Sequence, residues 1–347
     1  MTVAVAATMA SEQHNDKFVN SEVRYQTDAS NLWDIVKAYF KSKRQAATPL
    51  QDVPLMPVTA KQLTQSHDAI YRLGHSTLLI RLNETLIMTD PVFSDRASPV
   101  QWAGPKRFHE SPISIADLPP IDAVIISHDH YDHLDKSAIK DLKEKVKVFI
   151  TPLKVGQRLI NWGVPSEQVI ELDWWQETKV EGINIVATPS QHFSGRGLFD
   201  KNETLWASWV IQSRDKNLFF SGDSGYFSGF KEIGDKYGPF DVTMMETGAY
   251  NKLWKEIHMM PEETMQAHID LQGRYLLPVH NGTFDLSLHD WYEPFERIVA
   301  LGETNNVPIF TPIFGQEVRL VDVTSESKTS KLANETTPWW KPFIVSN

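Results

Sequence analysis

The 347-residue chain contains no cysteine, so disulfides, thiolate metal ligands and a cysteine nucleophile are all excluded. No apolar run reaches the roughly 20 residues that a spanning helix needs, which argues against an integral membrane protein. Positive charge is scarce. Lys and Arg number 34 against 44 Asp and Glu, for a formal net charge of −10 and a pI near 5.6. Broad electrostatic attachment to nucleic acid is therefore disfavoured, and no nucleic-acid partner is expected. Residues 1–10 are apolar and rich in small side chains, but they lack a basic flank and are short for a secretory signal. A cytoplasmic location is expected, with peripheral membrane contact left open. Oligomeric state is not legible, and a homodimer is among the options. No repeat of solenoid or propeller period is present.

What the chain has is a sizeable core: 41% hydrophobic residues and 11 tryptophans, enough for one large domain or two. Residues 1–65 carry few strand signals and read as an N-terminal extension. Within it, Leu32, Ile35, Val36, Tyr39 and Phe40 fall at helical spacing over residues 31–43, predicting an amphipathic helix. Packing on the main domain is the preferred use of that stripe, ahead of membrane or partner binding. From Ala69 onward short β-rich runs dominate, at 69–73, 77–82, 85–89, 121–126, 147–150, 183–187, 205–211, 218–221, 242–245 and 275–279, with helices at 136–144 and up to Trp162. This predicts a mixed α/β domain over 66–325, with two sheets and outer helices, followed by a tail at 326–347.

His128, Asp129, His130, Tyr131, Asp132 and His133 pack three imidazoles and two carboxylates into six residues directly after an apolar strand. Neutral imidazole and carboxylate suit a divalent ion such as zinc without a thiolate. His128 and His130 share one side of an extended chain, while a turn at Tyr131 can send Asp132 and His133 elsewhere. One ion at the alternating histidines and a second at the Asp-His pair is the resulting expectation; a solvated polar loop is the weaker alternative. Further donors end later apolar runs: His192 after 183–187, Asp223 after 218–221 and His280 after 275–279. Strand ends are where loops converge on a sheet rim.

His128-x-His130-x-Asp132-His133 followed by His192, Asp223 and His280 resembles the ligand set of the metallo-β-lactamase superfamily, over residues 69–320. The resemblance implies an αββα sandwich with two divalent metal ions, Zn2+ first, with Mn2+ or Fe2+ also suited to the donors. It assigns His128, His130 and His192 to one ion, Asp132, His133 and His280 to the other, and Asp223 as the bridge. Asp223 stands where thiolate-using β-lactamases carry cysteine, which disfavours β-lactam hydrolysis. The flanks are similar to N-acyl-phosphatidylethanolamine-hydrolysing phospholipase D, notably Leu73-Gly74-His75-Ser76-Thr77, Thr89-Asp90-Pro91-Val92-Phe93, Gly104-Pro105-Lys106-Arg107-Phe108, Thr188-Pro189-Ser190-Gln191-His192 and Gly222-Asp223-Ser224-Gly225-Tyr226. Departures occur at Ile257, where that family commonly has glutamine, at Met259-Met260, and at Asn281, where it tends to have tryptophan.

The implied activity is phosphodiester hydrolysis by a metal-bridging hydroxide, formed because two ions about 3.5 to 4 Å apart lower the pKa of a shared water. The catalytic set is Asp223, His258 and Asp132, with His258 contacting phosphate or assisting the leaving oxygen. The expected substrate is N-acyl-phosphatidylethanolamine or a related phosphodiester; a lactonase of the same fold is the alternative, and a non-catalytic metal-binding protein a distant third. Asp90 is read either as the acceptor for a ligand histidine or as a turn former before Pro91, and His75 as either reaching the site or capping the Gly74 turn. Trp174, Trp175, Phe193, Tyr226, Tyr250 and Trp254 flank the site segments. Core packing is expected for most, with about a third lining a substrate pocket. Arg96, Lys106 and Arg107 fit surface ion pairs better than phosphate binding.

Overall fold

The computed structural model describes residues 10–22, 33–35, 37–38, 41–42, 44–65, 67–320 and 338–344. Although residues 1–65 carry few strand signals, β1 (Glu12–His14) and β2 (Lys17–Val19) form an antiparallel hairpin. Asn15 and Asp16 close it with φ of 52° and 62°, the left-handed conformation that two-residue hairpin turns need. Phe18 then drops into the core between the main sheets. Residues 33–35, 37, 38 and 41 are helical, as the spacing predicts, whereas Leu32, Val36, Tyr39 and Phe40 lie outside the described residues. Helix α1 (Ala60–Gln65) leads into the main body.

The first sheet contains β3 (Ala69–Arg72), β4 (Leu78–Leu82), β5 (Thr85–Thr89), β6 (Ile121–Ile125), β7 (Val146–Pro152), β8 (Val169–Leu172) and β15 (Glu317–Arg319), in the order β15-β3-β4-β5-β6-β7-β8. Pairing is antiparallel from β15 to β5 and parallel from β5 to β8. The second runs β9 (Glu177–Val180), β10 (Ile183–Thr188), β11 (Ser208–Gln212), β12 (Asn217–Phe220), β13 (Phe240–Glu246) and β14 (Gly273–Val279) side by side. Parallel neighbours need crossovers, supplied by α2 (Lys136–Leu142) and α3 (Gly156–Asn161) in one half and by α4 (Gly229–Tyr237) and α5 (Pro261–Asp270) in the other. Helix α6 (Glu293–Asn305) follows.

Period-two alternation decides what each face covers. Leu78, Ile80 and Leu82 face Ile185, Ala187, Trp209, Ile211 and Phe220 across the sandwich. Leu79 and Met88 point the other way, onto Ala138, Ile139 and Leu142 of α2. Val186, Val210, Phe219 and Met245 meet Phe230, Ile233, Met265 and Ile298 of α4, α5 and α6. The layers are therefore αββα, as the resemblance implies. The strand expected at 205–211 begins only at Ser208, because the Leu205 and Ala207 amides bond instead to Leu153 and Ser127 carbonyls beyond the first sheet's β7 and β6. In the predicted tail, Trp339 and Trp340 are buried against Val53, Trp291, Phe295 and Phe314.

Phe18 is fully buried, so Phe18→Ala is expected to cost about 3 to 5 kcal/mol in denaturant unfolding; a loss below about 1 kcal/mol would show that the hairpin is not docked. Burial holds the His109 imidazole down to about 3, helped by Arg107, and holds His268 down to about 4. Both stay neutral in the folded chain while the unfolded chain gains protons below 6.5. Their stabilisation is thus complete above pH 6.5 and is lost as pH falls toward 4 and then 3. His268→Gln should flatten this acid slope in pH-dependent urea melts.

Candidate metal centre

Every donor sits where a strand runs out. The chain leaving β6 turns at His130, whose carbonyl accepts from both the His133 and Leu134 amides, so 132–133 depart from the direction of 128–130. His192 follows β10, Asp223 follows β12 and His280 follows β14 with φ of 62°. Gly222 has φ of 54°, and a Cβ there would lie 2.6 Å from the Ser127 Cβ. Glycine is required for Asp223 to approach the first sheet.

All seven predicted ligands come together, in two groups. His128, His130, His192 and Asp223 form one; Asp132, His133 and His280 form the other, with His75 added. In the first, the His130 Nδ1 lies 2.9 Å from the His128 Nε2 and 3.2 Å from the His192 Nε2. In the second, the Asp132 Oδ2 lies 3.5 Å from the His133 Nε2, 3.3 Å from the His280 Nε2 and 3.2 Å from the His75 Nε2. Asp223 stands between them: its Oδ2 is 3.1 Å from both the His133 and His280 Nε2, and 3.8 and 3.7 Å from those of His128 and His192.

The orienting partners are equally specific. The Asp90 Oδ2 is 2.6 Å from the His133 Nδ1 and accepts from the Ser127 hydroxyl at 2.6 Å, while its Oδ1 accepts from the Ser127 amide. The Ser127 Oγ is 2.9 Å from the His128 Nδ1. The His192 Nδ1 bonds to the Ile257 carbonyl at 2.9 Å, so the departure at Ile257 sits in the backbone that orients the His192 ring. His75 reaches the site, with its ring centroid 3.9 Å from that of His280 and the two planes tilted by 47°. Asn281 accepts from Arg72 and donates to the Thr247 and Val279 carbonyls, a buried strut beneath His280.

Two residues of this constellation escape a reading by motif. Glu246, the last residue of β13, bonds to the His258 Nδ1 and accepts from the Ser224 amide at 2.6 Å. Its signal was a carboxylate ending an apolar run, the same one that marks Asp223. Asn20, immediately after β2, accepts from the His192 amide at 3.0 Å and donates to the His192 carbonyl at 2.8 Å. Nothing in its local sequence points 172 residues ahead.

Electrostatically the halves differ. Burial and neighbouring imidazoles push His128 and His192 well below 6.5, leaving their rings neutral with a free lone pair. Burial opposes charge on His133 too, but Asp223, Asp132 and Asp90 outweigh it and hold that ring well above 6.5; His280 is likewise raised to about 10 by Asp223 and Asp132. Three ring nitrogens with one carboxylate in each half form a donor set for cations. The buried Asp223 Oδ1 lacks a hydrogen bond, which fits an atom kept for an ion.

His130, Asp132, Asp223, His258 and His280 line a pocket of about 300 Å³. Its walls are apolar: Ile35, Phe193, Ala249, Trp254, Ile257 and Leu286. Phe193 and Trp254 are the members of the aromatic group that line it. Trp174, Tyr226 and Tyr250 instead bond to Trp206, Asp270 and Glu293, and Trp175 stacks on Tyr237. Arg107 is buried and donates to the Val92 and Phe93 carbonyls, and Arg96 donates to the Gly104 carbonyl. Neither lines the pocket.

Because Asp90 fixes the His133 ring, Asp90→Ala is expected to weaken metal binding about 10- to 100-fold in chelator competition. A change below about threefold would remove Asp90 from this role.

Comparison with known proteins agrees with the geometry. Residues 85–281 match the family described as Beta-lactamase superfamily domain. The chain is 41% identical over 314 residues to an uncharacterized protein of Mycobacterium tuberculosis, covering 89% of this chain and 80% of that one. It is 37% identical over 243 residues to N-acyl-phosphatidylethanolamine-hydrolyzing phospholipase D 1 of Caenorhabditis elegans, covering 66% and 68%. Among solved structures, Igni18, a novel metallo hydrolase from Ignicoccus hospitalis, superposes with a TM-score of 0.56 at 20% identity, over 73% of this chain and 98% of that one; this likeness speaks for the fold alone. With that fold, these strand-end donors and the match over residues 85–281, the chain belongs to the metallo-β-lactamase superfamily of metallo-hydrolases and is related to N-acyl-phosphatidylethanolamine-hydrolysing phospholipase D.

Proposed function

We propose that the protein is a dinuclear-metal phosphodiesterase of phospholipase D type, cleaving N-acyl-phosphatidylethanolamine or a related phosphodiester to a phosphatidic-acid-type product. One observation carries this reading: four of the metal-type donors, His130, Asp132, Asp223 and His280, share a pocket with the apolar side chains of Ile35, Phe193, Ala249, Trp254, Ile257 and Leu286. Such a pocket suits an anionic diester joined to acyl chains, with the charge at the donors and the chains against the apolar side chains.

His128, His130 and His192 would hold one ion and Asp132, His133 and His280 the other, with Asp223 shared. Zn2+ is the first candidate for these donors, ahead of Mn2+ or Fe2+. Bound there, the ions would supply Lewis acidity toward phosphate oxygens and a lowered pKa for a shared water. Asp223 orients the attacking water from between the two groups. His258 lines the same pocket with its Nδ1 on Glu246. Glu246 thereby fixes the ring, leaving its Nε2 to donate to the leaving oxygen as the ester bond breaks. Burial raises Glu246 well above 4.5 and lowers His258 to about 4, so the pair shares a proton rather than forming two full charges.

Metal-loaded protein offered N-acyl-phosphatidylethanolamine, a chromogenic phosphodiester and an acyl-homoserine lactone in parallel is expected to cleave the diesters. Lactone turnover alone would favour a lactonase, and inactivity on a broad panel a binding protein. His258→Ala should lower kcat about 100-fold or more with unchanged metal content; full turnover would remove His258 from the reaction.

A further inference from the structure

The two most exposed large apolar side chains among the described residues are adjacent: Leu198 at 92% and Phe199 at 88%. Presenting both to water is unfavourable unless they meet an apolar partner. The loop that carries them is built to present them. Asp200 accepts from the Arg196 amide at 3.1 Å, the Gly197 amide at 2.7 Å and Arg158 at 2.9 Å, so the turn beneath the tip is cross-braced. The Gly195 amide donates to Asp129 at 2.8 Å, and Arg196 donates to the Asp129 and Leu134 carbonyls while lying over the Tyr131 ring. The base of the loop is thus clamped to residues 129–134, within the segment that carries the metal-type donors. Phe193, two residues before Gly195, lines the pocket.

Charge points to the occupant. On a chain of net charge −10, two lysines flank this tip: the Lys17 Nζ donates to the Phe199 and Lys201 carbonyls at 3.4 and 2.7 Å, and the Lys201 Nζ lies 5.5 Å from the Phe193 ring. Apolar side chains beside lysines suit the head-group boundary of an anionic bilayer. A second copy of the chain fits poorly. Each side chain offers on the order of 200 Å², so even a symmetrical contact stays below the roughly 1,200 Å² of a stable interface.

We propose that Leu198 and Phe199, flanked by Lys17 and Lys201, form a knuckle that docks the protein on an anionic lipid bilayer and sets the mouth of the pocket against the membrane. This rests on the reading of the substrate as a lipid, and names the surface that would deliver it.

The test uses the full chain and vesicles that contain no N-acyl lipid, so docking is read without turnover. Co-sedimentation with vesicles of phosphatidylcholine plus phosphatidylglycerol should exceed that with phosphatidylcholine alone. The double variant Leu198→Ser, Phe199→Ser should partition at least about tenfold more weakly, with melting temperature and metal content unchanged. Because the chain has no cysteine, Phe199→Cys offers a single attachment point for an environment-sensitive fluorophore, whose emission should shift to the blue on these vesicles. No partitioning of the wild-type chain, equal partitioning of the double variant, or a changed oligomeric state with unchanged vesicle binding would overturn the proposal. Failure to dock with diesters still cleaved would leave the substrate reading standing. Docking without cleavage of any diester would do the reverse.

Discussion

The Asp223 carboxylate is the point on which both halves of the centre depend. It comes from the second sheet yet lies 3.1 Å from the His133 imidazole of the first, and equally close to His280 of its own sheet. A carboxylate buried this deeply is costly unless cationic partners surround it. The imidazoles and the ions that this donor set would hold meet that demand, and in doing so they tie the rims of the two sheets together. The inter-sheet core of isoleucines, leucines and tryptophans sets the spacing at which this can happen, since sheets packed face to face stand about 10 Å apart.

The N-terminal segment has a larger part in the site than an extension would suggest. Phe18 fills the core, Asn20 brackets the backbone of His192 with two hydrogen bonds, and Ile35 walls the pocket. Lys17 stands at the exposed loop, 184 residues away in sequence from its partner Lys201. The His192 backbone, the pocket lining and the outer surface are therefore all met by residues of the N-terminal segment. No helix among the described residues is long and apolar enough to cross a membrane.

Much of the fold and of the donor set could be read in advance because both are written locally. Short, nearly continuous apolar runs mark strands such as β4 and β10, which are buried on both faces, and a donor just beyond such a run marks a rim. By that rule alone Glu246 was as legible as Asp223. The failures have a common cause. The hairpin at 12–19 is too short to signal itself, and residues 205–207 look like strand because apolar side chains are buried there in an irregular segment whose amides cross to the other sheet. Ile257 acts through its carbonyl, which side-chain identity does not encode.

The amino-acid sequence by itself determined the chemistry available: nitrogen and oxygen donors without thiolate, and the strand ends that carry them. It also marked the strands that are covered on both faces, because their apolar runs are nearly continuous. Only the tertiary structure decided the grouping of His75 with the second set of donors, the pairing of Glu246 with His258, the bracket of Asn20 on His192 and the apolar wall above the site. These depend on distances between segments far apart in the chain, set by how two twisted sheets pack, and no local pattern of residues records such a distance.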